Sequence, residues 1–237
     1  MNPPMERRIR ILIVEDEEPI RNGLTDVFVY HGYEADQAVD GDQGLAKALS
    51  GTFDLVLLDV MLPGLDGFEV CRRIRAQDRD QPIIMLTAKT AEQDIIQGLS
   101  LGSDDYVSKP FSVAQLVLRV QAVLRRARVG VEAASQIRLG GEVEIDTRNL
   151  AGRSGARELS FTRREMEVLQ YLAANAERPV PREELLRKVW GYARNLDIET
   201  RTVDIHVAKL RRKIEPDPGT PRYLVTVRGA GYRLLAD

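Results

Sequence analysis

Several residue types that define specialised protein classes are scarce in this sequence. It holds one cysteine, Cys71, so it cannot form an intramolecular disulfide, and most cysteine-based metal clusters are excluded. No apolar run approaches the length of a membrane-spanning helix, and the opening segment MNPPMERRIR lacks the apolar core of a signal peptide. We therefore expect a cytoplasmic protein without a membrane partner.

The sequence is long enough for two domains, and its two halves differ in net charge. The length of 237 residues is long for one compact domain. Residues 1–126 contain 14 Lys and Arg against 20 Asp and Glu, a net charge of −6, whereas residues 127–237 contain 20 against 16, a net charge of +4. This asymmetry predicts two different tasks, and the basic half is a candidate for binding nucleic acid.

The first half alternates short apolar runs with stretches of helical periodicity. In the segment EPIRNGLTDVFVYHG, for example, apolar residues recur at helical spacing, Pro19 suits a first helical position and Gly32 suits a helix end. Five such alternations predict an α/β domain with a doubly wound, five-stranded parallel sheet. The predicted strands are RILIVED, YEADQAV, FDLVLLD, PIIMLTA and DYVSKP.

Polar side chains stand at the carboxyl ends of four of these strands. Glu15 and Asp16 end the first strand, Asp59 the third, Thr87 the fourth and Lys109 the fifth. Ligands of such sheets bind at this edge. Clustered carboxylates repel one another unless a cation lies between them, and hard oxygen ligands suit Mg²⁺. A hydroxyl and an ammonium facing that ion would bind an anion, so the set predicts a site for phosphoryl transfer with a carboxylate nucleophile.

Taken singly, these residues have simpler explanations. Asp16 suits a helix cap, Thr87 a strand end and Lys109 an exposed surface, but caps do not account for all of them at one edge. A hydrolase with an aspartyl nucleophile, as in the haloacid dehalogenase family, is a rival. Such a hydrolase would need an acidic residue two positions after Asp59, where this sequence has Met61. A dinucleotide-binding enzyme is also disfavoured, because no G-x-G-x-x-G motif follows the first strand.

Four motifs of this half resemble the receiver domain of a two-component response regulator: ILIVEDEE, LVLLDVMLPGLDG, IIMLTA and DDYVSKPF, within residues 8–126. The resemblance implies that a sensor histidine kinase phosphorylates Asp59, and that the protein is a phosphoryl acceptor rather than an enzyme, with at most slow autodephosphorylation. It further implies a cis peptide between Lys109 and Pro110. The implied Mg²⁺ ligands are Glu15 (through water), Asp16, Asp59 and the Met61 backbone carbonyl, and the implied phosphoryl-binding and switch residues are Thr87, Tyr106 and Lys109.

After a linker at residues 127–136, the second half predicts two strands, around Ile137–Leu139 and Val143–Ile145, with turn signals at AGRSGA. Three helices and a hairpin are predicted to follow. Thr162 and Glu165 form a capping box that opens the first helix, and Gly191 ends the second. In the third, ETRTVDIHVAKLRRKIE, apolar residues keep one face and basic residues lie elsewhere. With the terminal hairpin, this order predicts a winged helix-turn-helix, an α+β domain, over residues 137–237.

The motifs SFTRREMEVLQYL, RTVDIHVAKLRRKIE and TVRGAGYRL resemble the winged-helix effector domain of the OmpR/PhoB family. The resemblance implies that Lys209 reads base edges of double-stranded DNA and that Arg228 enters the minor groove. Ala208 departs from the arginine that relatives often have there, so one phosphate contact is expected to be missing. The other implied DNA contacts, to phosphates, are Arg201, His206, Arg211, Thr226 and Tyr232.

Together the resemblances predict a transcriptional regulator that forms a homodimer on phosphorylation and binds a direct repeat. The alternative is a phosphorylation-independent DNA binder whose receiver serves only dimerisation. The segment GYARNLDIE is a candidate contact for RNA polymerase. The implied dimer interface lies on the face of the fourth and fifth predicted helices and the fifth strand, and comprises Ile95, Asp104, Asp105, Gln115, Arg119 and Arg126.

Overall fold

A computed structural model describes residues 7–87, 98–99, 101–128, 135–192 and 201–237, with only the backbone of residues 126–128. The chain divides into two compact units at Leu124 and Arg125, and each unit is described by itself. Within the described residues, no helix combines the length and the apolar character needed to cross a membrane.

The first unit contains the five-stranded, all-parallel sheet that the sequence predicts. Neighbouring strands follow the order β2-β1-β3-β4-β5, which places β1 and β3 side by side at the centre. β1 and β3 are buried on both faces, as their continuous apolar runs require. The strands are β1 (Arg10–Val14), β2 (Glu34–Ala38), β3 (Leu55–Asp59), β4 (Ile83–Thr87) and β5 (Asp105–Ser108).

Helices cover both faces of this sheet. One apolar cluster joins alternate strand residues to α1 and α4, and the other joins the remaining strand residues to α2 and α3, where Cys71 is buried as a packing residue. Asp40 and Asp66 cap α2 and α3 by accepting from the amides of Gln43 and Glu69. Most of the helix predicted over Ile95 to Leu99 lies outside the described residues. The helices of this unit are α1 (Glu18–Tyr30), α2 (Gly41–Ala48), α3 (Gly67–Gln77) and α4 (Val113–Arg128).

The second unit has the three helices and the terminal hairpin that the sequence predicts. The capping box is present: the Thr162 hydroxyl accepts from the Glu165 amide, and the Glu165 carboxylate accepts from the Thr162 amide. Gly191 follows the second helix with a φ of 75°. These elements are α5 (Arg163–Ala173), α6 (Arg182–Val189), α7 (Arg201–Ile214), β10 (Leu224–Val227) and β11 (Gly231–Leu234).

An antiparallel sheet of four strands precedes these helices, and the sequence predicted only its first two. The order is β6-β7-β8-β9 along the chain. The segment AGRSGA predicts a turn, but its first four residues form a strand, β8, which pairs with β7 on one side and with β9 on the other. Gly155, with a φ of 58°, lies in the turn between β8 and β9. Short polar strands lack the alternation that predicts a strand. The four are β6 (Gln136–Leu139), β7 (Val143–Asp146), β8 (Ala151–Ser154) and β9 (Arg157–Ser160).

Two helical glycines of the first unit give a matched test of its packing. A Cβ added at Gly44 would lie 2.5 Å from Cγ1 of Val14, a fully buried residue at the end of β1. A Cβ added at Gly23 would meet no atom within 4 Å. We predict that Gly44→Ala destabilises the unit by ~1–3 kcal/mol because the packed core must shift. Gly23→Ala should stabilise α1 by ~0.5–1 kcal/mol.

Urea unfolding followed by circular dichroism measures both changes. Unfolding of the second unit is read separately from the fluorescence of Trp190, the one tryptophan in the chain. Equal stability of the two variants would contradict the close packing of α2 on β1.

Candidate functional site

Three acidic side chains meet at the carboxyl edge of the parallel sheet. Val14 pairs with Leu58 in the β1–β3 ladder, so the next residues, Glu15 and Asp59, stand side by side. Each of Glu15, Asp16 and Asp59 offers one carboxylate oxygen, and these atoms all lie within 4.8 Å of one another. Glu15 and Asp59 are buried, whereas Asp16 is exposed. The parallel register therefore assembles the predicted acidic cluster.

Lys109 reaches this cluster from the end of β5. Its Nζ lies 3.0 Å from Oδ2 of Asp59 and 2.8 Å from Oε2 of Glu15. The Lys109 amide donates to the Thr87 carbonyl, and the peptide between Lys109 and Pro110 is cis, as predicted. The lysine therefore neutralises part of the carboxylate charge.

Burial and charge oppose one another in this cluster. Burial raises the pKa of Glu15, and the nearby charge of Asp59 raises it further, against the hydrogen bond from Lys109. Burial alone would lower the pKa of Lys109, but hydrogen bonds to Glu15 and Asp59 outweigh it and raise that pKa. Lys109 therefore stays charged.

The donor set fits a divalent cation. Among the described residues, Oδ1 of Asp59 is buried without a hydrogen-bond partner, and a buried carboxylate oxygen of this kind is costly unless a cation or a donor reaches it. Carboxylate oxygens are the hard ligands that Mg²⁺ prefers. Asp16 is exposed, so the ion and its water ligands can reach the site from solvent. Glu15, Asp16 and Asp59 are the residues that would hold the ion.

The other predicted receiver residues lie near the same edge. Asp59 pairs with Leu86 in the β3–β4 ladder, so Thr87 is the next residue along β4, and it is buried. Tyr106 pairs with Met85 and is half-buried against the apolar cluster that contains this methionine. Met61 follows β3 with an exposed side chain. The roles of its carbonyl, of Thr87 and of Tyr106 stay predictions.

In the second unit, the exposed face of α7 differs from the face that the sequence predicted. Arg201, Ala208 and Arg212 are exposed, and Asp204 and Arg211 are half-buried. Their spacing of three or four residues places them on one side of the helix. Ala208 is thus at the centre of this side, and Arg212 and Asp204 belong to it although the resemblance had not named them.

Lys209 and His206 lie on the opposite side, which corrects their predicted contacts with DNA. Lys209 is 7% exposed, and its Nζ is 3.2 Å from Oε1 of Glu165. His206 is 0% exposed, with Nδ1 2.8 Å from the Thr202 carbonyl oxygen and its ring edge-on to Trp190.

The inward face of α7 thus carries an ionic cluster. The Glu165 carboxylate lies within 2.6 Å of Lys213 Nζ and also accepts from the Thr162 amide. Burial alone would raise the pKa of Glu165, but the charges of Lys209 and Lys213 outweigh it and lower that pKa to about 2. Removing one partner of such a buried pair destabilises a fold strongly. Lys209 therefore has a structural role.

The hairpin contributes residues beside the exposed face of α7. Thr226 is exposed and its hydroxyl accepts from Nη2 of Arg211 at 2.8 Å, and Arg228 is exposed at the β10–β11 turn. Tyr232 is 4% exposed, and its hydroxyl donates to Asp204 at 2.6 Å. Burial, together with that hydrogen bond, raises the pKa of Tyr232 to about 12.

Arg182, at the start of α6, completes this arrangement and was not predicted from the sequence. Its guanidinium donates to Asp204 at 2.6 Å and to the Tyr232 hydroxyl at 3.0 Å, and lies over the Tyr232 ring. These contacts join residues from three elements that are distant in sequence, and no local pattern in the chain predicts them.

The acidic residues of the predicted dimer interface are engaged within the chain. Asp104 is buried, and its Oδ2 accepts from Arg75 at 3.0 Å and from the Ile83 amide at 2.8 Å. The carboxylate fixes α3 to the β4–β5 connection, and its role in a dimer interface stays a prediction. Asp105 pairs with Arg119 at 2.7 Å in the same chain. Gln115 is exposed, and Ile95 and the Arg126 side chain lie outside the described residues.

Comparisons with known proteins agree with both units. The family model for the response regulator receiver domain matches residues 11–121, and the model for the C-terminal domain of transcriptional regulatory proteins matches residues 156–234. The DNA-binding response regulator MtrA of Mycolicibacterium smegmatis is 43% identical over 226 residues, covering 95% of this chain and 96% of MtrA. The sensory transduction protein RegX3 of the same organism is 40% identical over 226 residues, covering 94% of this chain and 98% of RegX3.

A solved structure covers both units as well. The response regulator DrrB, described as a Thermotoga maritima OmpR/PhoB homolog, matches with a TM-score of 0.52 and 30% identity, over 96% of this chain and 99% of DrrB. A parallel receiver sheet followed by a winged helix defines a two-component response regulator with a DNA-binding domain. The chain belongs to the OmpR/PhoB family of these regulators.

The buried His206 gives the second unit a predictable response to pH. Burial, together with the charge of Lys209, lowers its pKa to about 3 from the ordinary histidine value of 6.5. Below pH 6.5 the unfolded chain binds a proton that the folded unit does not, so stability falls by ~1.4 kcal/mol per pH unit. From pH 7.5 to pH 5 we predict a loss of ~2 kcal/mol from this residue.

Urea unfolding of the full chain, read by Trp190 fluorescence, measures the effect. His206→Leu should remove most of this slope, whereas His31→Gln should keep it, because His31 is exposed at the end of α1. An unchanged slope in His206→Leu would show that other groups cause the pH dependence.

Proposed function

We propose that a sensor histidine kinase transfers a phosphoryl group to Asp59, and that this modification controls DNA binding by the second unit. The observation that carries the proposal is the contact of Lys109 with both Asp59 and Glu15 at the open edge of the sheet. In this arrangement an Asp59 oxygen attacks phosphorus while the bond from phosphorus to the donor histidine breaks. The chain acts as a phosphoryl acceptor, not as an enzyme that turns over a substrate.

The residues around Asp59 supply charge and orientation for this transfer. Mg²⁺, held by Glu15, Asp16, Asp59 and the Met61 carbonyl, would neutralise charge that develops on the phosphoryl oxygens. The Lys109 ammonium, fixed beside Asp59, and the Thr87 hydroxyl are suited to bind the remaining oxygens. Tyr106 would respond to the position of Thr87, which links occupancy of the site to β5.

For DNA, we propose that α7 enters the major groove with its exposed face. Arg201, Arg211 and Arg212 would contact phosphates, since they lie on this face at helical spacing. Arg228 at the hairpin turn would reach the minor groove, and Thr226 would hold Arg211 in position. Lys209, His206 and Tyr232 are not part of this set, because all three are buried.

We propose that phosphorylation promotes a homodimer through the α4 and β5 face, and that the dimer binds a direct repeat. Exposed Leu118 and Gln115 lie on α4, so apolar contact is available there, whereas Asp104 and Asp105 are already paired within the chain. The segment 193–199, part of the candidate contact for RNA polymerase, lies outside the described residues. The alternative of a phosphorylation-independent binder is weaker, because the acidic cluster and Lys109 are both in place.

Phosphorylation itself has a direct test. With Mg²⁺ and acetyl phosphate, the wild-type chain should gain one phosphoryl group, detected by mass spectrometry. Asp59→Asn should abolish the gain because it removes the nucleophilic oxygen. Asp26→Asn, which changes an exposed carboxylate on α1, should leave it unchanged. Labelling of Asp59→Asn at the wild-type level would refute the assignment of the acceptor.

The residues that bind DNA phosphates are identified by the salt dependence of binding. Removing one phosphate-binding cation lowers the slope of log affinity against log salt by about one. We predict this change for Arg201→Ala and for Arg211→Ala on specific and scrambled duplexes alike. Arg228→Ala should weaken binding most where the flank is A·T-rich.

The control is Arg153→Ala, which removes an exposed arginine that pairs with Glu144 on the four-stranded sheet. Its slope should equal that of the wild type. If Arg201→Ala and Arg153→Ala gave the same slope, the proposed docking of α7 would be wrong.

A further inference from the structure

A buried arginine lies directly behind the acidic cluster and has no role in the proposed chemistry. Arg21 is in the first turns of α1 and is 8% exposed. Its Nη1 donates to the carbonyl oxygen of Glu15 at 2.8 Å and to that of Asp16 at 2.9 Å. Nη1 carries two hydrogens, so one nitrogen binds the backbone of both acidic residues.

The backbone that Arg21 binds is the short connection between β1 and α1. Three carboxylates lie within 4.8 Å of one another at this point, and their repulsion favours displacement of the connection away from Asp59. The Glu15 amide is fixed by the Ala38 carbonyl of β2. The carbonyl of Asp16, whose side chain is exposed, is held by Arg21. Arg21 therefore restrains the backbone of Asp16, which the hydrogen bonds of the sheet do not reach.

The geometry of α1 explains why an arginine can act here. Arg21 lies on the same face of α1 as Leu24 and Phe28, which are buried in the core of the first unit. Its stem therefore packs inward while its guanidinium turns back toward the start of the helix. The Nε atom is buried without a hydrogen-bond partner among the described residues. The side chain thus leaves one donor unsatisfied while both Nη1 hydrogens bind the loop.

We propose that Arg21 is a positioning residue for the divalent cation: by fixing the carbonyls of Glu15 and Asp16, it holds their carboxylates where Mg²⁺ binds and so strengthens binding of the ion. This inference rests on the proposed function, which supplies the Mg²⁺ site. Arg21 does not touch the ion or the phosphoryl group. It acts on the ligands through hydrogen bonds, and partners of this kind typically contribute a factor of about 10 to 100 in metal affinity.

The test is a titration of the full-length chain with Mg²⁺ by isothermal calorimetry. Arg21→Met keeps an unbranched apolar stem but removes both hydrogen bonds. We expect its Mg²⁺ affinity to fall by about 10-fold to 100-fold. In phosphorylation by acetyl phosphate, the Mg²⁺ concentration for half-maximal rate should rise by the same factor, while the rate at saturating Mg²⁺ stays close to the wild-type value. A general loss of structure would lower the saturating rate instead.

Arg75 provides the matched control, because it is another buried arginine that binds backbone carbonyls. It is 8% exposed, and its Nε donates to the Gly102 carbonyl at 2.8 Å. Its partner Asp104 precedes β5, so it lies at the opposite edge of the parallel sheet from Asp59. Arg75→Met should lower the stability of the unit yet leave Mg²⁺ affinity of the folded chain unchanged.

Each outcome decides one claim. If the wild-type chain does not bind Mg²⁺, the proposed metal site fails. If the wild type binds and Arg21→Met binds equally well, or if Arg75→Met is weakened as much, the role of Arg21 is wrong. If Arg21→Met does not fold, NMR of the wild type replaces it. The Arg21 Nε–H signal should then shift with the midpoint of Mg²⁺ binding while that of Arg75 stays fixed, and a fixed Arg21 signal would overturn the proposal.

Discussion

Two buried carboxylates at the ends of adjacent parallel strands are the constraint on which the first unit depends. Glu15 and Asp59 stand side by side because Val14 pairs with Leu58, and neither can leave the sheet edge without breaking that register. Lys109 bridges them from β5 and offsets part of their repulsion. An additional cation is favoured because Oδ1 of Asp59 has no hydrogen-bond partner among the described residues. The same charges that strain the edge make it suited to a metal and a phosphoryl group.

The second unit buries charge for a different purpose. Glu165 caps α5 and also receives Lys209 and Lys213 of α7, so one carboxylate fixes the orientation of α7 against α5. A buried pair of this kind adds little net stability but is costly to break, and thereby specifies one rotation of the helix. That rotation presents Arg201 and Arg212 outward. The proposed DNA-binding surface is therefore set by an interaction that never touches DNA.

Much of the fold could be predicted because its signals are local. Five apolar runs that alternate with helical periods predict the parallel sheet, and Thr162 with Glu165 predicts the start of α5. The set at the sheet edge was predictable too, since the carboxyl ends of parallel strands share one edge. The strands β8 and β9 were missed because AGRSGARELS is polar and Gly-containing, and only pairing with neighbouring strands makes it a sheet. Arg21 and Arg182 were missed because their partners are backbone carbonyls or side chains of other elements.

The sequence by itself determined the two-domain order, the parallel sheet, the acidic cluster with its lysine and the basic third helix of the second unit, because strand ends and helical periods are properties of neighbouring residues. Tertiary structure alone decided which side of α7 is exposed and which ion pairs form. His206 and Lys209 are polar, and in the sequence they look like surface residues. They are buried because Trp190 and Glu165, brought from other helices, cover them. The partner of a charged side chain is chosen by packing, which no local pattern encodes.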